Sequence, residues 1–317
     1  MKKKIIISIL GTALFFLLIV SGCGKEQALD EAINAYSTYI TADVTMKRDL
    51  LCLMMAYPDF IKGVKKGADG RSVFVVMKSG KYIIYDDGRQ KSYDQKLANA
   101  DLQDMLEPLY PLWDIDTLME ENYDPGRIRV YSLLKEVYGG SRQQITSNLE
   151  SVRAGSKHCS FNRNNKASEA LKQVFREISE LARERPGIYP FVYPVNGTFN
   201  YRVISGTNQL SPHSFAIAID LKSDKRDYWR WASREQGQQR LNSYPTDVVR
   251  IFEKNNFVWG GKWGHFDILH FEYRPELIIK ARYYVEDHEL LEPWYYGFPD
   301  DDQKVRDFIK VIEEGLG

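Results

Sequence analysis

The spacing of apolar residues along the chain predicts a series of amphipathic helices. The clearest covers 166–184, where apolar residues recur every three or four positions, charged residues occupy the other face, and Pro186-Gly187 ends the pattern. Weaker patterns of the same period predict helices over 28–40, 127–138, 246–256 and 301–315. Helix is also predicted over 46–61, interrupted by Pro58, and over 102–118, broken by Pro108 and Pro111.

Other stretches favour strands, because they are rich in β-branched and aromatic residues. The runs 73–77 and 82–85, separated by Lys78-Ser79-Gly80-Lys81, predict a β-hairpin. Further strands are predicted over 192–204, 215–221 and 266–273. The order helix, strands, helix, strand predicts an α+β domain whose sheet is mainly antiparallel and flanked by helices, with a smaller α+β elaboration before it.

The first residues have the layout of an export signal. Lys2, Lys3 and Lys4 precede the apolar run Ile5–Val20, and small residues lead to Cys23. This end resembles a bacterial lipobox, with Val20 where Leu is commoner. The resemblance implies cleavage before Cys23, lipidation of its thiol and attachment to the bacterial cell membrane. An uncleaved anchor and a simple secretory signal are alternatives, and all three place the body of the protein outside the cytoplasm.

These patterns divide the chain into four parts. They are a signal peptide (1–22), a tether with a small α+β region of unreadable role (23–120), a domain carrying the candidate chemistry (121–285) and a Tyr-rich segment with a helix (286–317). We found no repeat or low-complexity tract.

The overall composition is that of an ordinary globular protein. Lys and Arg number 43, as do Asp and Glu, and 44% of residues are hydrophobic. Nothing in this balance favours nucleic acid as a partner, and we expect a monomer. Beyond Cys23, Cys52 and Cys159 could form a disulfide or stay as two thiols, and the sequence leaves both open.

Two segments, 202–220 and 263–273, carry the candidate chemistry. The first contains His213 and Asp220, and the second contains Asp267 and His270. Two imidazoles and one carboxylate suit a borderline cation such as Zn²⁺, leaving one position open for water and the second carboxylate to act as a base. Asp220 lies between Ile219 and Leu221, and a carboxylate in an apolar strand is costly unless it is paired or metal-bound.

Strand geometry sets a condition on this hypothesis. Asp267, three residues before His270, would point to the opposite face of a regular strand. Both can face one site only if the strand begins or bulges there. Glu272 lies on the same face of the predicted strand as His270. It is either a partner that orients the His270 ring or a surface carboxylate. His265 is either a substrate contact or a partly exposed histidine.

The motifs SPHSFAIAID (Ser211–Asp220) and WGHFDILHFE (Trp263–Glu272) resemble those of the M15 (VanY-like) zinc D-alanyl-D-alanine carboxypeptidases and endopeptidases. Broader similarity extends over about 124–276. One departure is Ala216, where the family usually has Gly. This would matter if the position requires a positive φ.

The resemblance implies an M15/hedgehog-type peptidase core and a role for each motif residue. His213, Asp220 and His270 would bind Zn²⁺, and Asp267 would be the general base. Arg202 would be the positive group near the scissile carbonyl or the substrate carboxylate. Ser211 would support the substrate or the His213 loop. The implied function is hydrolysis of peptidoglycan stem peptides, and D-alanyl-D-alanine carboxypeptidase is the activity we expect. An L,D-type endopeptidase and a non-catalytic wall-binding lipoprotein that keeps the fold are the alternatives.

Overall fold

A computed structural model describes residues 41–284 and 292–317. The export segment, Cys23 and the helix predicted over 28–40 lie outside the described residues. The chain divides into two compact units, Met1–Arg48 and Asp49–Gly317. No helix in the described part of the chain has the length and apolarity needed to cross a membrane.

Residues 41–56 form the helix α1, and a small antiparallel sheet follows it. The sheet has the order β1-β2-β3, built from β1 (Ile61–Lys66), β2 (Val73–Met77) and β3 (Tyr82–Ile84). The predicted hairpin is confirmed, with Gly80 in its turn at φ +90°. The helix predicted over 46–61 ends at residue 56, because Pro58 cannot continue it.

Two short helices, α2 (Tyr93–Asn99) and α3 (Leu102–Leu106), follow the sheet. Ser92 and Asp101 cap them in reciprocal capping boxes. The helix predicted over 102–118 with breaks at Pro108 and Pro111 ends at Leu106, and it does not resume after the prolines.

The middle of the chain contains α4 (Tyr131–Tyr138), α5 (Arg142–Ser147), the hairpin β4 (Leu149–Ala154) and β5 (Lys157–Asn162), α6 (Ala167–Glu184) and α7 (Tyr189–Val192). The prediction of α6 is confirmed almost to the residue. The strands predicted over 192–204 are wrong, because this stretch makes only the isolated bridges Gly197–Asp220 and Val203–Leu210.

The sheet that carries the site has three antiparallel strands in the order β6-β8-β7. They are β6 (Ala218–Asp220), β7 (Phe257–Trp259) and β8 (His270–Tyr273). The helices α8 (Arg234–Ser243), α9 (Thr246–Lys254), α10 (Pro275–Arg282) and α11 (Gln303–Leu316) complete the fold. The α+β prediction is thus confirmed. Both site strands are shorter than predicted, and Pro245 precedes α9 as its cap residue.

Aromatic side chains pack the helices against this sheet. The ring of Phe252 in α9 stacks on Phe271 of β8 at 3.9 Å, and Phe257 of β7 meets Phe252 edge-on at 5.3 Å. All three rings are fully buried. Burying one such side chain contributes about 1.5–3 kcal/mol. The core therefore lies directly behind the strand that carries His270.

The cysteines expected either to pair or to stay as thiols are not joined to each other. Cys52 is buried in α1, and Cys159 is half-buried in β5. Burial raises the pKa of the Cys159 thiol, which keeps it protonated. The predicted domain boundaries stay predictions, although contacts cross the one at 120/121, such as the hydrogen bond from Tyr110 to Glu253.

A buried ion pair fixes the irregular segment after α3 to the core. The Lys262 ammonium lies 2.6 Å from Glu253 Oε1 and donates to the carbonyl oxygens of Pro111 (2.7 Å) and Trp113 (2.9 Å). Its side chain is only 1% exposed. This group therefore replaces the regular backbone hydrogen bonds that a proline-interrupted segment lacks.

We predict that Lys262→Met lowers the free energy of unfolding by about 3–5 kcal/mol, because it leaves the Glu253 charge buried and unpaired. Lys254→Met is the matched control. Its ammonium pairs with Glu177 at 2.9 Å but is 70% exposed, so its loss should cost at most about 1 kcal/mol. Urea unfolding followed by circular dichroism measures both. Equal stability losses in the two variants would contradict the prediction.

Candidate metal centre and active site

A short 3-10 helix, Pro212–Phe215, presents His213 to the site. Ser211 is buried and precedes this helix, and its Oγ accepts a hydrogen bond from the His213 N–H at 3.3 Å. Ser211 therefore holds the His213 loop, one of the two roles expected for it.

Ala216 ends this turn in the left-handed conformation, with φ 54° and ψ 43°. This conformation costs a residue with a Cβ about 1–2 kcal/mol, which explains why Gly would suit the position. The turn is nevertheless held by hydrogen bonds. Ala216 N–H donates to His213 O at 3.1 Å, and Ala216 O accepts from Asn162 N–H at 2.9 Å. The departure from the family pattern thus leaves the turn intact.

The His213 ring is oriented by one backbone carbonyl. Its Nδ1 lies 2.6 Å from Thr198 O, which can only accept, so Nδ1 carries the proton. The other ring nitrogen, Nε2, faces Asp220 Oδ1 at 3.3 Å. Nε2 is therefore the atom of this ring that can bind a cation.

Asp220 and His270 meet because β6 and β8 are paired in register, with Asp220 opposite His270. Asp220 Oδ1 lies 2.9 Å from His270 Nδ1. One ligand atom from each of His213, Asp220 and His270 lies within 4.8 Å of the others. Burial alone would raise the pKa of Asp220, but the hydrogen bonds and charges of the two histidines lower it well below its usual range.

Glu272 lies on the far side of the His270 ring. Its Oε2 is 3.8 Å from His270 Nε2, and it is fully buried, so it is not the surface carboxylate that the sequence left open. Although burial lowers the pKa of His270, the hydrogen bond to Asp220 and the nearby Glu272 carboxylate raise it to about 10. The cluster therefore favours a positive charge at this position.

A chain of buried ionic groups in turn supports Glu272. Arg129 donates to both carboxylate oxygens, at 2.9 Å from Nε to Oε1 and 2.6 Å from Nη2 to Oε2. Arg274 lies 3.4 Å from Glu272 and donates to Glu276 Oε1 at 2.6 Å, and Tyr57 donates to Glu276 Oε2 at 2.6 Å. Bidentate pairing of this kind fixes the Glu272 carboxylate in position.

Asp267 reaches the same site because β8 begins only at His270. Residues 267–270 form a turn in which His270 N–H donates to Asp267 O at 3.0 Å, which satisfies the geometric condition set by the sequence. Gly260 must pack closely here, because a Cβ at that position would lie 2.5 Å from Asp267 O.

Burial raises the pKa of the Asp267 carboxyl to about 7. The charge of His270 lowers this pKa, whereas the negative charge of Asp220 raises it further. Within 41–284 and 292–317, no side chain donates a hydrogen bond to this carboxylate. It is therefore available to take a proton from a substrate or a water molecule.

Arg202 lies beside the His213 turn through its backbone. Its N–H donates to Ser214 Oγ at 2.8 Å, and its carbonyl accepts from Ser211 N–H at 3.0 Å. The side chain is exposed. Its role toward the substrate stays a prediction.

His265 is hydrogen-bonded to a carboxylate that is not part of the cluster of His213, Asp220 and His270. Its Nδ1 lies 2.7 Å from Asp124 Oδ2, and its N–H donates to Asp124 Oδ1 at 2.9 Å. Arg127 and Tyr93 also donate to this carboxylate. His265 is therefore not among the three cluster residues.

Sequence reasoning missed several residues that hold the site. Asn162 is fully buried and donates from Nδ2 to Tyr138 O at 2.9 Å and Phe215 O at 3.0 Å, which fixes the His213 turn. Thr198 and Arg129 were also missed. A buried, isolated asparagine or arginine in a polar stretch has no motif of its own, so the sequence offered no signal for these residues.

A second group of acids, Asp86, Asp87 and Asp101, also has oxygens close together. The Lys91 ammonium lies 3.0 Å from Asp87, 2.7 Å from Asp101 and 2.6 Å from Asp104. The protein's own cation thus already occupies two of the three carboxylates and offsets part of their charge.

The fold and the site together define an α+β protein with a site of the kind that metallohydrolases use. Two imidazole nitrogens and one carboxylate oxygen converge, each histidine has a partner on its other nitrogen, and a separate acid lies beside them. Residues 205–273 match a peptidase M15 family described as D-alanyl-D-alanine carboxypeptidase. This stretch of the chain is therefore similar to that family of peptidases. The matched span includes all three cluster residues and Asp267, whereas Arg202 lies just before it. No curated protein and no solved structure was found to match the chain.

Proposed function

We propose that this protein is a zinc-dependent peptidase that removes the terminal D-alanine from peptidoglycan stem peptides. The observation that carries the proposal is the convergence of His213, Asp220 and His270. Asp267 interacts electrostatically with all three, and the four residues lie within the stretch that matches the family. A second candidate, an L,D-type endopeptidase, would use the same groups on a bond inside the stem.

The donor set fits a zinc ion. His213 Nε2, Asp220 Oδ1 and His270 Nδ1 would hold it, and the Thr198 carbonyl and Glu272 orient the two rings. When bound, zinc supplies Lewis-acid chemistry and lowers the pKa of a water molecule from 15.7 to roughly 7.

The chain's own residues supply the proton transfers. Asp267 takes a proton from the attacking water and returns it to the leaving amine, which is the role of a general base that becomes a general acid. Arg202, on the segment beside the His213 turn, offers its positive charge to the scissile carbonyl or to the substrate carboxylate. Each stabilising group of this kind contributes about 2.7–4 kcal/mol to lowering the barrier.

We also propose that the protein is exported and held at the bacterial membrane by a lipid on Cys23. The support is the charged, apolar and small-residue order of the first 23 residues. Such a tether would keep a soluble peptidase within reach of the cell wall. Mass spectrometry of the purified chain checks this, since an unmodified N-terminus at Met1 would contradict it.

Digestion of purified muropeptides, read by mass spectrometry, tests the proposed activity. We expect loss of one terminal D-alanine, abolished by a chelator and restored by added zinc. Cleavage inside the stem would instead identify the endopeptidase. Intact muropeptides in the presence of the zinc-loaded protein would favour the non-catalytic wall-binding protein.

We predict that Glu272→Gln weakens zinc binding by about 10–100-fold, because the substitution removes the charge that orients His270. Competition against a chromophoric chelator measures the affinity. The control is Glu150→Gln, since Glu150 is 40% exposed and pairs with Lys172 on the surface. Equal zinc affinity in the wild type and the Glu272 variant would show that Glu272 does not position His270.

A further inference from the structure

Five aromatic rings form a row next to Asp267. Successive ring centroids lie 5.7 Å apart from Tyr93 to His265, 4.6 Å from His265 to Trp229, 6.1 Å from Trp229 to Tyr228, and 5.0 Å from Tyr228 to Trp231. None of these five side chains is buried, and Trp231 is 76% exposed. This set, the aromatic row, is a surface feature and not part of the core.

The backbone attaches the aromatic row directly to the Asp267 segment. Tyr228 forms an antiparallel bridge with Asp267, and Trp229 N–H donates to Phe266 O at 3.0 Å. Trp231 N–H donates to Tyr228 O at 2.9 Å. The rings therefore lie at a defined position beside the proposed general base.

A buried ion pair holds this loop from behind. Arg240 Nε donates to Asp227 Oδ1 at 2.7 Å, and both side chains are buried. Asp227 O also accepts from Ile268 N–H at 2.8 Å, within the Asp267–His270 turn. Because Asp227 immediately precedes Tyr228, the exposed position of Trp231 is fixed by the fold.

The row is half-buried except at Trp231, which is exposed, and an aromatic surface patch of this kind can mark a binding site. The substrate of the proposed function has two parts, a peptide with small and charged side chains and a glycan chain of pyranose rings. Pyranose rings present flat faces of C–H groups, which pack on aromatic rings, and polar edges. Arg230, whose guanidinium lies 5.0 Å from the Trp229 ring, supplies hydrogen-bond donors at the border of the row.

We propose that the aromatic row binds the glycan chain to which the stem peptide is attached. The inference rests on the proposed function and extends it, since the protein then recognises the polymer as well as the peptide. The chemical fit decides between the two parts of the substrate, because only the sugar rings match an extended aromatic surface.

The test measures binding of peptide-free glycan strands to the full-length chain by tryptophan fluorescence. The wild type should bind saturably. Trp231→Ala should weaken binding roughly tenfold, and Trp231→Phe, which keeps a ring, should recover most of the affinity. The control is Trp113→Ala, since Trp113 is also highly exposed, at 61%, but is not part of the row. It should bind like the wild type.

Three results would overturn the inference: no saturable binding by the wild type, equal losses in the Trp231→Ala and Trp113→Ala variants, or displacement of the strands by free stem peptide. The last would assign the row to the peptide. Because the assay measures binding without turnover, a failure here is distinct from a failure of the peptidase activity, which the muropeptide digestion detects separately.

Discussion

Asp267→Asn is expected to keep the full metal content of the protein while turnover of stem peptides falls by about 10²–10⁴-fold. The amide has nearly the size of the carboxylate, so the turn from Asp267 to His270, which is held by a backbone hydrogen bond, should persist. The amide cannot accept the proton that the reaction releases. Turnover with saturating substrate, together with metal analysis of the same sample, measures the effect.

A conservative variant separates loss of the base from loss of the fold. Asp267→Glu retains a carboxylate on a longer side chain, and it should be slower than the wild type but faster than the Asn variant. An Asn variant with the turnover of the wild type would remove Asp267 from the mechanism. Loss of metal together with activity would instead make Asp267 part of the metal site.

The second large effect is expected from His270→Ala, which should lose bound zinc. The imidazole is one of three donors that converge, and an alanine leaves Asp220 and His213 without the third. Elemental analysis after dialysis should find about one zinc per wild-type chain and almost none in the variant.

A histidine elsewhere on the protein provides the control for this prediction. His158 lies on the exposed hairpin, 3.1 Å from Ser151 Oγ, and His158→Ala should keep its zinc. Thermal unfolding of both variants shows whether His270→Ala is still folded. Stoichiometric zinc in a folded His270→Ala variant would refute the proposed ligand set.

Two of the four central residues stand out because they contradict their local pattern, whereas His213 and Asp267 were predicted from their place in the two motifs. Asp220 and His270 are polar residues within apolar runs, and such residues are retained only where they are paired or bind a ligand. The amphipathic helix α6 was equally predictable, since its pattern is contained within one stretch of chain.

Elements without a local pattern could not be predicted. The helix α8 buries only Gly237, Arg240 and Leu241, so its sequence has almost no apolar face to detect. The stretch 192–204 has β-type residues but forms only isolated bridges, because strand formation depends on partners that lie elsewhere in the chain.

The support of the site was beyond sequence reasoning for a similar reason. Arg129 and Glu272 are 143 positions apart, and only the fold brings the guanidinium to the carboxylate. The position of Ala216 shows the opposite case. The sequence raised the question of a positive φ, and the structure answered it, with Ala in the conformation that Gly adopts more easily.

The ionic chain from Tyr57 to Glu272 limits how this protein can be shortened. A recombinant fragment that starts at residue 121 would contain every proposed ligand and the proposed base, but it would lack the phenol that donates to Glu276. It would also lose Tyr110, which donates to Glu253, and Asp49, which pairs with Lys280. Crystallographers and enzymologists who want a minimal soluble enzyme should therefore begin it upstream of Asp49.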